Sequence, residues 1–558
     1  MNPNKPTLAI YGIQDRANYE HPFYVHDHNL AIMQNGKVRE FLQLERISGL
    51  KRDNSLHEQL YFILKEKKLL AEEFDLVFVD NVVGRTFLTP QGDARFEAPL
   101  PKLIASDLEE GNCWWFGKKV NAWALNHELA HIFSCLPFFG KPKNNSLLVH
   151  FDGGASKSNF SVWLYRGNKV DKIKAHWDYQ HLTTLLNANA LVFSIIGANL
   201  SEQNSVPGKM MGLAGHGNYE PELEDWLRKH NYFQNIWNKK SIFFQQVKED
   251  FNIELKSFDQ KNPFLQNIIA TLHEFFVRET MHIFTQLQGQ TATNTLYYSG
   301  GCALNIVANT RLIQSGIFDE VYIPPCCEDS GLALGAAAFA EWKKHGKIEK
   351  HSPYLNNWNL TLQNIEYSSN DLEQAAAALM NNAVLGICNG AGEAGPRALG
   401  NRSLLCLANS RQLAQKVSMQ HKQREWYRPV APVMLEKNSC YFTGQKTIHL
   451  LSEYMLLDFD ILPEKQKEII GAVHKNGTAR IQTIFNREQN PYLWDLLTLL
   501  DEKHKVKALI NTSFNTKGKP IVHTPKDARE LARKMNIDGV VIDGKFEEIN
   551  SHPIEFNN

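Results

Sequence analysis

The feature that most constrains the fold is a pattern of three short strands that occurs twice before residue 180. The first copy gives strand, bend, strand, an Asn-Gly turn and strand, in "FYVHDHNLAIMQNGKVREFLQLE". The second copy repeats that order around an Asp-Gly-Gly bend, in "LLVHFDGGASKSNFSVWLYRGNKVDKI". Each bend carries an acid, Asp27 in the first copy and Asp152 in the second. Such duplicated halves face each other across a cleft, so we predict a duplicated α/β N-terminal domain that clamps a nucleotide.

Strand-like and helix-like segments alternate along the rest of the chain, which favours α/β layers throughout. Residues 346–365 are polar, include Pro353 and several Asn, and separate two such stretches. We therefore place a domain boundary near residue 355, with one domain at 1–355 and a second α/β domain at 356–558.

Composition excludes several classes of partner. The 558 residues contain 60 Lys+Arg and 60 Asp+Glu, so no bulk field attracts nucleic acid or a membrane surface. No apolar run reaches the roughly 18–20 residues that span a bilayer, and the N-terminus lacks a signal-peptide pattern. The eight Cys are scattered, as in reduced proteins. We expect a cytoplasmic protein without membrane or nucleic-acid partners, and a homodimer remains open.

A histidine pair lies in the stretch "NHELAHIFSC". His127, Glu128 and His131 spell H-E-x-x-H, in which a zinc peptidase would use Glu128 as its base. Two histidines at i and i+4 share one helix face and can also bind another metal, or simply pack with ordinary hydrogen bonds. Two acids in loops, Asp152 and Asp329, complete a nitrogen and oxygen set that suits Fe(II), Zn(II) or Mn(II).

These motifs make the N-terminal half similar to the metal-bearing branch of the actin/hexokinase/Hsp70 superfamily. That branch contains the tRNA threonylcarbamoyl transferases and the O-carbamoyltransferases, and the resemblance makes a peptidase remote. It implies the metal ligands His127, His131, Asp152 and Asp329. It also implies a nucleotide site at the glycine turns, namely Gly153, Gly154, Gly300, Gly301 and the following Asn305, where backbone N–H groups can face an anion. Tight turns between strand and helix are the alternative reading of these glycines.

Four blocks after residue 385 resemble the C-terminal, YrdC-like domain of the NodU/CmcH-type O-carbamoyltransferases. They are "NGAGEAGPRALGNRSLLC", "HKQREWYRPVAPVML", "HKNGTARIQTI" and "LINTSFNTKGKPIVHTP". Guanidinium forks suit a phosphate or carboxylate. The residues expected to bind carbamoyl phosphate are Arg397, Arg402, Arg424, Arg428, Arg480, Asn511 and Ser513. Lys422 is expected on the nucleotide phosphates.

The resemblance implies a two-step reaction. Carbamoyl phosphate and ATP, with Mg²⁺, give carbamoyl-adenylate in the second domain, and a hydroxyl in the first domain then takes the carbamoyl group. A divalent metal, most simply Fe(II), would act there as a Lewis acid. His26 is the candidate proton acceptor, oriented by Asp27, and Lys51 would stabilise the adenylate.

Departures from the family pattern concern the acceptor side. His28 and Asn29 follow the His-Asp pair where small residues are usual, and His216 replaces a Pro-Tyr. The acceptor is therefore expected only as a small natural product or a saccharide. A tRNA threonylcarbamoylation enzyme is an alternative, disfavoured by the balanced charge. An inactive nucleotide-binding protein is a second, disfavoured by the complete set of metal ligands and arginines.

Overall fold

The computed structural model describes residues 1–14, 24–99, 105–234, 240–362 and 365–549. The chain begins with an eight-stranded sheet in the order β3-β2-β1-β4-β8-β7-β6-β5. Its strands are β1 (Thr7–Tyr11), β2 (Asn29–Gln34), β3 (Lys37–Gln43), β4 (Asp75–Val79), β5 (Thr86–Leu88), β6 (Ala94–Glu97), β7 (Glu109–Trp115) and β8 (Lys118–Leu125). The helices of this part are α1 (Leu44–Ser48), α2 (Leu56–Glu66), α3 (His127–Phe133) and α4 (Leu136–Phe139).

A second, five-stranded sheet follows in the order β11-β10-β9-β12-β13. Its strands are β9 (Ser146–Phe151), β10 (Phe160–Arg166), β11 (Lys169–His176), β12 (Thr295–Ser299) and β13 (Glu320–Tyr322). Helices inserted before β12 are α5 (Gln180–Asn187), α6 (Ala190–Ile196), α7 (Val206–Ala214), α8 (Pro221–Lys229), α9 (Lys240–Phe251) and α10 (Pro263–Thr291). Helix α11 (Ile306–Gln314) precedes β13, and α12 (Leu332–His345) follows it.

The two sheets share one topology, which confirms the duplicated α/β fold. Each sheet contains three neighbouring antiparallel strands, β3-β2-β1 in the first sheet and β11-β10-β9 in the second. Two parallel strands then follow, β4 and β8 beside β1, and β12 and β13 beside β9. The second strand of each hairpin also shifts register, between Ile32 and Met33 in one copy and between Val162 and Trp163 in the other. Such bulges twist a hairpin locally. Strands β5–β7 extend the first sheet only.

Two helices pack between the sheets and fix the position of the histidine pair. Helix α12 packs on β1, β2 and β4, and α3 packs on α12, β9 and β12. The two helices approach closely because α12 is rich in Ala and carries Gly335, where a β-carbon would lie 1.9 Å from the carbonyl oxygen of Ala130. Helix α3 is therefore buried on every side and cannot shift its side chains freely.

The C-terminal region forms a seven-stranded mixed sheet in the order β19-β16-β20-β15-β14-β21-β22. The strands are β14 (Leu385–Cys388), β15 (Ser403–Leu407), β16 (Ala431–Leu435), β19 (Gln482–Ile484), β20 (Leu509–Ser513), β21 (Gly539–Ile542) and β22 (Lys545–Glu548). A separate pair consists of β17 (Phe459–Asp460) and β18 (Thr478–Ala479). The helices are α13 (Ser369–Met380), α14 (Arg411–Gln415), α15 (Glu436–Thr443), α16 (Pro491–His504) and α17 (Pro525–Met535). The YrdC-like assignment of this region stays a prediction.

The predicted boundary at 355 falls in the irregular segment between α12 and α13, and it also stays a prediction. Asn356 exchanges backbone hydrogen bonds of 2.9 and 3.0 Å with Gly392, and its side-chain amide donates to Gln43. The segment therefore contacts both the first part of the chain, at Gln43, and the C-terminal region, at Gly392. Across the described ranges, no single helix is long and apolar enough to cross a bilayer; one pair, Gln180–Ile196 and Leu200–Ala214, qualifies only when its two helices, bent by 105°, are taken together.

Candidate metal centre and anion pocket

The histidine pair and Asp329 converge on one point. Helix α3 starts at His127 because the Asn126 side chain caps it by accepting the N–H of Leu129 at 2.9 Å. The Nε2 atoms of His127 and His131 lie 3.0 Å apart, and Oδ1 of Asp329 lies 3.5 and 3.3 Å from them. All three side chains are buried.

Two further contacts orient this cluster. The Tyr11 hydroxyl donates to Oδ2 of Asp329 at 2.9 Å, and the Nδ1–H of His131 points to the Cys327 carbonyl oxygen at 3.1 Å. The second contact sets the tautomer that leaves a lone pair on Nε2 of His131. Burial opposes ionisation of Asp329, yet the imidazoles of His127 and His26 hold the pKa of that carboxyl well below its usual range.

Asp152 approaches the cluster from the other half of the duplication. Its Oδ2 lies 3.6 Å from Nε2 of His131. The N–H groups of Gly153 and Gly301 both donate to this carboxylate. Asp152 therefore engages both N–H groups in this structure, and nucleotide binding at Gly153 and Gly301 stays a prediction.

The remaining predicted nucleotide residues of this domain have structural contacts. Gly300 has φ +106°, and a β-carbon there would lie 2.2 Å from the Phe151 carbonyl oxygen, so the turn requires glycine. A β-carbon on Gly154 would touch the Trp177 ring at 3.2 Å. Asn305 caps α11 and contacts His273 through its amide at 3.0 Å. Nucleotide binding by these residues stays a prediction.

The donor set fits a divalent metal. Ligands at about 2.1 Å from an ion lie roughly 3 Å or more apart when they are neighbours in its coordination sphere. The separations of 3.0–3.6 Å among the imidazole and carboxylate atoms match that requirement. Imidazole with carboxylate suits Fe(II), Zn(II) or Mn(II), and the geometry does not select among them.

The peptidase arrangement does not form. Oε1 of Glu128 accepts the N–H of Lys157 at 2.8 Å and the hydroxyl of Ser158 at 3.0 Å. The carboxylate thereby holds the loop after β9 rather than a water over the histidine pair.

The predicted catalytic residues lie beside the cluster. His26 contacts Asp27 at 2.8 Å and Asp329 at 3.9 Å through Nδ1. Burial disfavours its charge, but Asp329 and Asp27 together raise the pKa of His26 to about 9. Both carboxylates therefore favour the protonated form of the His26 imidazole. Lys51 pairs with Glu45 at 2.7 Å.

The unusual residues after the His-Asp pair support the metal loop. The Asn29 amide donates to the carbonyls of Asp27 and Asp329 at 2.7 and 2.9 Å and accepts the N–H of Ala333 at 2.7 Å. His28 is buried, and Nδ1 accepts the N–H of Leu56 at 3.3 Å. Burial, with the charge of His57, lowers the pKa of His28 to about 3. Both residues therefore have structural roles.

A cavity of about 670 Å³ lies between residues on either side of the predicted domain boundary. Helices α7, α10 and α11 of the first domain form one wall. The other wall carries most of the predicted carbamoyl phosphate ligands, namely Arg397, Arg424, Arg428, Arg480, Asn511 and Ser513. His216 lies at this junction, with its ring 4.9 Å from Trp426 and its carbonyl accepting from Lys475 at 3.1 Å.

The guanidinium groups in the cavity repel one another. Burial and the charges of Arg397, Arg424 and Arg428 lower the pKa of Arg480 well below its usual range, and burial with Arg428 lowers the pKa of Arg424 to about 9. The Nε atoms of Arg397 and Arg480 have no hydrogen-bond partner in the described part of the chain. Buried, unpaired cations of this kind are stabilised by a multiply charged anion.

Two predicted ligands, Arg402 for carbamoyl phosphate and Lys422 for the nucleotide phosphates, have other contacts in the structure, and their ligand roles stay predictions. Arg402 is fully buried. Its guanidinium donates hydrogen bonds to the backbone carbonyls of Asn389, Gly390, Asn401 and His523. The Lys422 ammonium donates to carbonyl and side-chain oxygens of Ser513 and Asn515. Neither lines the cavity. Both arrange the loops that carry the other ligands.

Sequence reasoning missed His150 and Tyr11. His150 lies near the end of β9 and Asp152 directly follows the strand, a spacing of two that directs both side chains to the same side. Its ring stacks on His131 at 5.1 Å, and its donor atom belongs to a second potential metal group with His131 and Asp152. The i, i+2 spacing before the Asp-Gly-Gly bend could have revealed it.

Comparisons with known proteins agree with this architecture. A family model for the carbamoyltransferase N-terminus matches residues 117–338, and one for the carbamoyltransferase C-terminus matches residues 376–547. Nodulation protein NolO of Bradyrhizobium diazoefficiens is 31% identical over 443 residues, 75% of this chain and 78% of that protein. Nodulation protein NolNO of Sinorhizobium fredii is 25% identical over 553 residues, 93% and 78% of the two chains.

Among solved structures, a full-length HypF in its phosphate- and nucleotide-bound form is 13% identical, with a TM-score of 0.30 over 60% of this chain and 55% of that chain. The two family segments together span more than half of the sequence. The chain belongs to the carbamoyltransferase family and is a carbamoyltransferase.

Proposed function

We propose that the protein is an ATP-dependent O-carbamoyltransferase, which activates carbamoyl phosphate as carbamoyl-adenylate and transfers the carbamoyl group to a hydroxyl. The observation that carries this proposal is the interdomain cavity, in which Arg397, Arg424, Arg428 and Arg480 converge. A pocket with this excess of buried positive charge matches substrates that bring several phosphate charges. The cluster of potential metal ligands in the first domain would provide a separate site for the second step.

The first step uses one water. Water cleaves carbamoyl phosphate to carbamate and phosphate, and a carbamate oxygen then attacks the α-phosphorus of ATP and expels pyrophosphate. Arg480 and Arg397, with free Nε–H groups, are placed to hold anionic oxygens of the phosphates. Arg424, bonded to the hydroxyls of Thr512 and Ser513 at 3.3 and 3.1 Å, is held in place by β20. Mg²⁺ accompanies ATP in this step.

In the second step the acceptor hydroxyl attacks the carbamoyl carbon, the bond to AMP breaks, and the hydroxyl proton must leave. A divalent metal held by His127, His131, Asp152 and Asp329 would supply Lewis-acid stabilisation of the carbamoyl oxygen. We assign the proton to His26, positioned by Asp27. This role needs a neutral imidazole, and a metal that neutralises Asp329, the first of the two carboxylates that raise the pKa of His26, would favour that form.

The acceptor is proposed only by chemical class, as a hydroxyl of a small natural product or a saccharide. Lys51 stays a candidate for contact with the adenylate. It would have to leave Glu45, and its side chain is only about one-third exposed. A cytoplasmic location and the absence of nucleic-acid partners remain expectations from the sequence.

The test needs no acceptor. Purified enzyme is incubated with ATP, Mg²⁺ and carbamoyl phosphate, each omitted in turn, and pyrophosphate and carbamoyl-AMP are followed. We expect pyrophosphate only in the complete mixture. Arg480→Met should abolish it, while Arg487→Met, which removes a surface arginine paired with Asp495 at 2.8 Å, should not. Pyrophosphate release without carbamoyl phosphate would show a different activation chemistry.

A further inference from the structure

His150 is a buried imidazole whose Nε2 has no hydrogen-bond partner among the described residues. It lies in the middle of the second sheet, opposite Ser161 on β10 and Ser299 on β12. Its side chain is 0% exposed. An unpaired polar atom at such a depth destabilises the fold, so Nε2 needs a partner.

The direction of the ring identifies that partner. Nδ1 of His150 lies 3.3 Å from the hydroxyl of Ser161. If the Nδ1–H donates to that oxygen, the lone pair of Nε2 is left free. His131 has the same arrangement, because its Nδ1–H points to the Cys327 carbonyl oxygen at 3.1 Å. The two rings lie nearly parallel, with centroids 5.1 Å apart and planes at 26°.

The free imidazole faces the metal centre. One ring nitrogen of His150 lies within 4.8 Å of the donor atoms of both His131 and Asp152. Opposite ligands of an ion with bonds of about 2.1 Å lie about 4.2 Å apart, so a small movement of the His150 ring would bring its nitrogen into the same coordination sphere as His131 and Asp152. His131 belongs both to this group and to the group with His127 and Asp329, so the two triads adjoin one centre.

We propose that His150 is a third imidazole ligand of the metal, so that one ion is bound by His127, His131, His150, Asp152 and Asp329. This inference rests on the metal centre of the proposed function and adds a ligand to it. These five residues would hold the ion, which would supply Lewis-acid stabilisation to a substrate oxygen. A third imidazole also shifts the preference of the site from oxygen-loving Mg²⁺ toward Fe(II), Zn(II) or Co(II).

The first measurement uses the wild-type chain. The full-length protein is loaded with one equivalent of Zn(II) or Co(II), and the number of imidazole ligands is obtained from extended X-ray absorption fine structure. We expect three imidazoles. A folded protein that binds one ion through two imidazoles would overturn the assignment of His150, whatever the behaviour of any variant. A protein that binds neither ion would overturn both this inference and the metal part of the proposed function.

The second measurement uses His150→Phe, which keeps an aromatic ring to stack on His131 but removes both nitrogens. We expect Zn(II) affinity, from chelator competition, to fall by about 10–100-fold, with one imidazole lost from the spectrum. His127→Phe should behave likewise, and His230→Phe, at the end of α8, should match wild type. Unchanged affinity in a folded His150→Phe protein would contradict the proposal.

Discussion

The α-carbon of Gly395 lies against the carbonyl of Pro325, so closely that a β-carbon would come within 2.3 Å of its oxygen. Gly395 belongs to the loop that carries Arg397 into the interdomain cavity, and Pro325 begins the loop that ends at Asp329. The anion pocket and the metal centre are therefore joined through one backbone contact. Arg46 of α1 strengthens the junction by donating to the Gly395 carbonyl at 3.0 Å.

Gly395→Ala should destabilise the protein through this junction. Gly395 has φ +96°, and an alanine there combines backbone strain of about 1–2 kcal/mol with a steric clash. We expect a loss of roughly 3 kcal/mol or more. Gly346→Ala is the matched control, since Gly346 also has positive φ but a β-carbon there would meet no atom of the described residues within 4 Å. Thermal unfolding of both variants measures the difference, and equal losses would mean that the contact contributes nothing.

Asp329→Asn should separate the two half-reactions. The amide keeps an acceptor for Tyr11 but loses the charge that the two imidazoles face, so metal content should fall at least 10-fold. Carbamoyl transfer should stop while carbamoyl phosphate-dependent pyrophosphate release continues. Glu128→Gln, whose amide oxygen can still hold Ser158, should retain metal and both steps. Equal loss of both half-reactions in Asp329→Asn would refute the division between the domains.

Arg480→Met should stabilise the ligand-free enzyme while abolishing its response to phosphate. Burial and three neighbouring guanidinium groups lower the pKa of Arg480, which shows that its charge is disfavoured in the empty pocket. Replacing it with an apolar chain should raise stability by about 1 kcal/mol or more. Unfolding temperatures with and without inorganic pyrophosphate provide the measurement. A destabilised variant that still responds to pyrophosphate would show that Arg480 has a structural rather than a ligand-binding role.

Stability should decrease on mild acidification because several buried histidines are neutral in the fold. Burial is the main cause that lowers the pKa to about 4 for His273, His474 and His523. The unfolded chain binds protons near pH 6.5 and the fold does not, so stability is fully present above that pH and is lost as pH falls toward 4. Each such group contributes up to about 1.4 kcal/mol per pH unit within that window.

His523→Gln isolates one of these groups. His523 lies outside the cavity, and its Nε2–H donates to the Trp358 carbonyl at 2.6 Å, a bond that a glutamine amide can replace. Urea unfolding midpoints at pH 7 and pH 5 should differ less in the variant than in wild type. An unchanged pH dependence would mean that His523 has the same pKa in the fold as in the unfolded chain.

Patterns that depend on local spacing were predictable from the sequence. The repeated hairpins gave the duplicated sheets, and the i, i+4 histidines with Asp329 gave three donors that do meet. What could not be predicted is the direction of a long side chain. Arg402 and Arg480 come from similar loop motifs, yet one is bonded to four backbone carbonyls and the other lines the cavity. Only the tertiary fold decides which carbonyls lie within reach of a guanidinium group.

Residues that act from a distant part of the chain were also beyond sequence reasoning. Tyr11 and Asp329 are 318 positions apart, and no local pattern links them. His150 was accessible in principle, because it lies two positions before Asp152 at the end of β9. Without the sheet, however, the sequence did not show which residues neighbour His150 in space.

The cavity between the domains has a consequence for how such enzymes can change. Its cations come from the second domain, while α7 and α11 of the first close the opposite side. Neither domain therefore forms the whole cavity by itself. A chimera built from two relatives would combine two walls whose side chains are not complementary. We expect the two walls of the cavity to change together, by gradual, paired substitution across the junction rather than by exchange of modules.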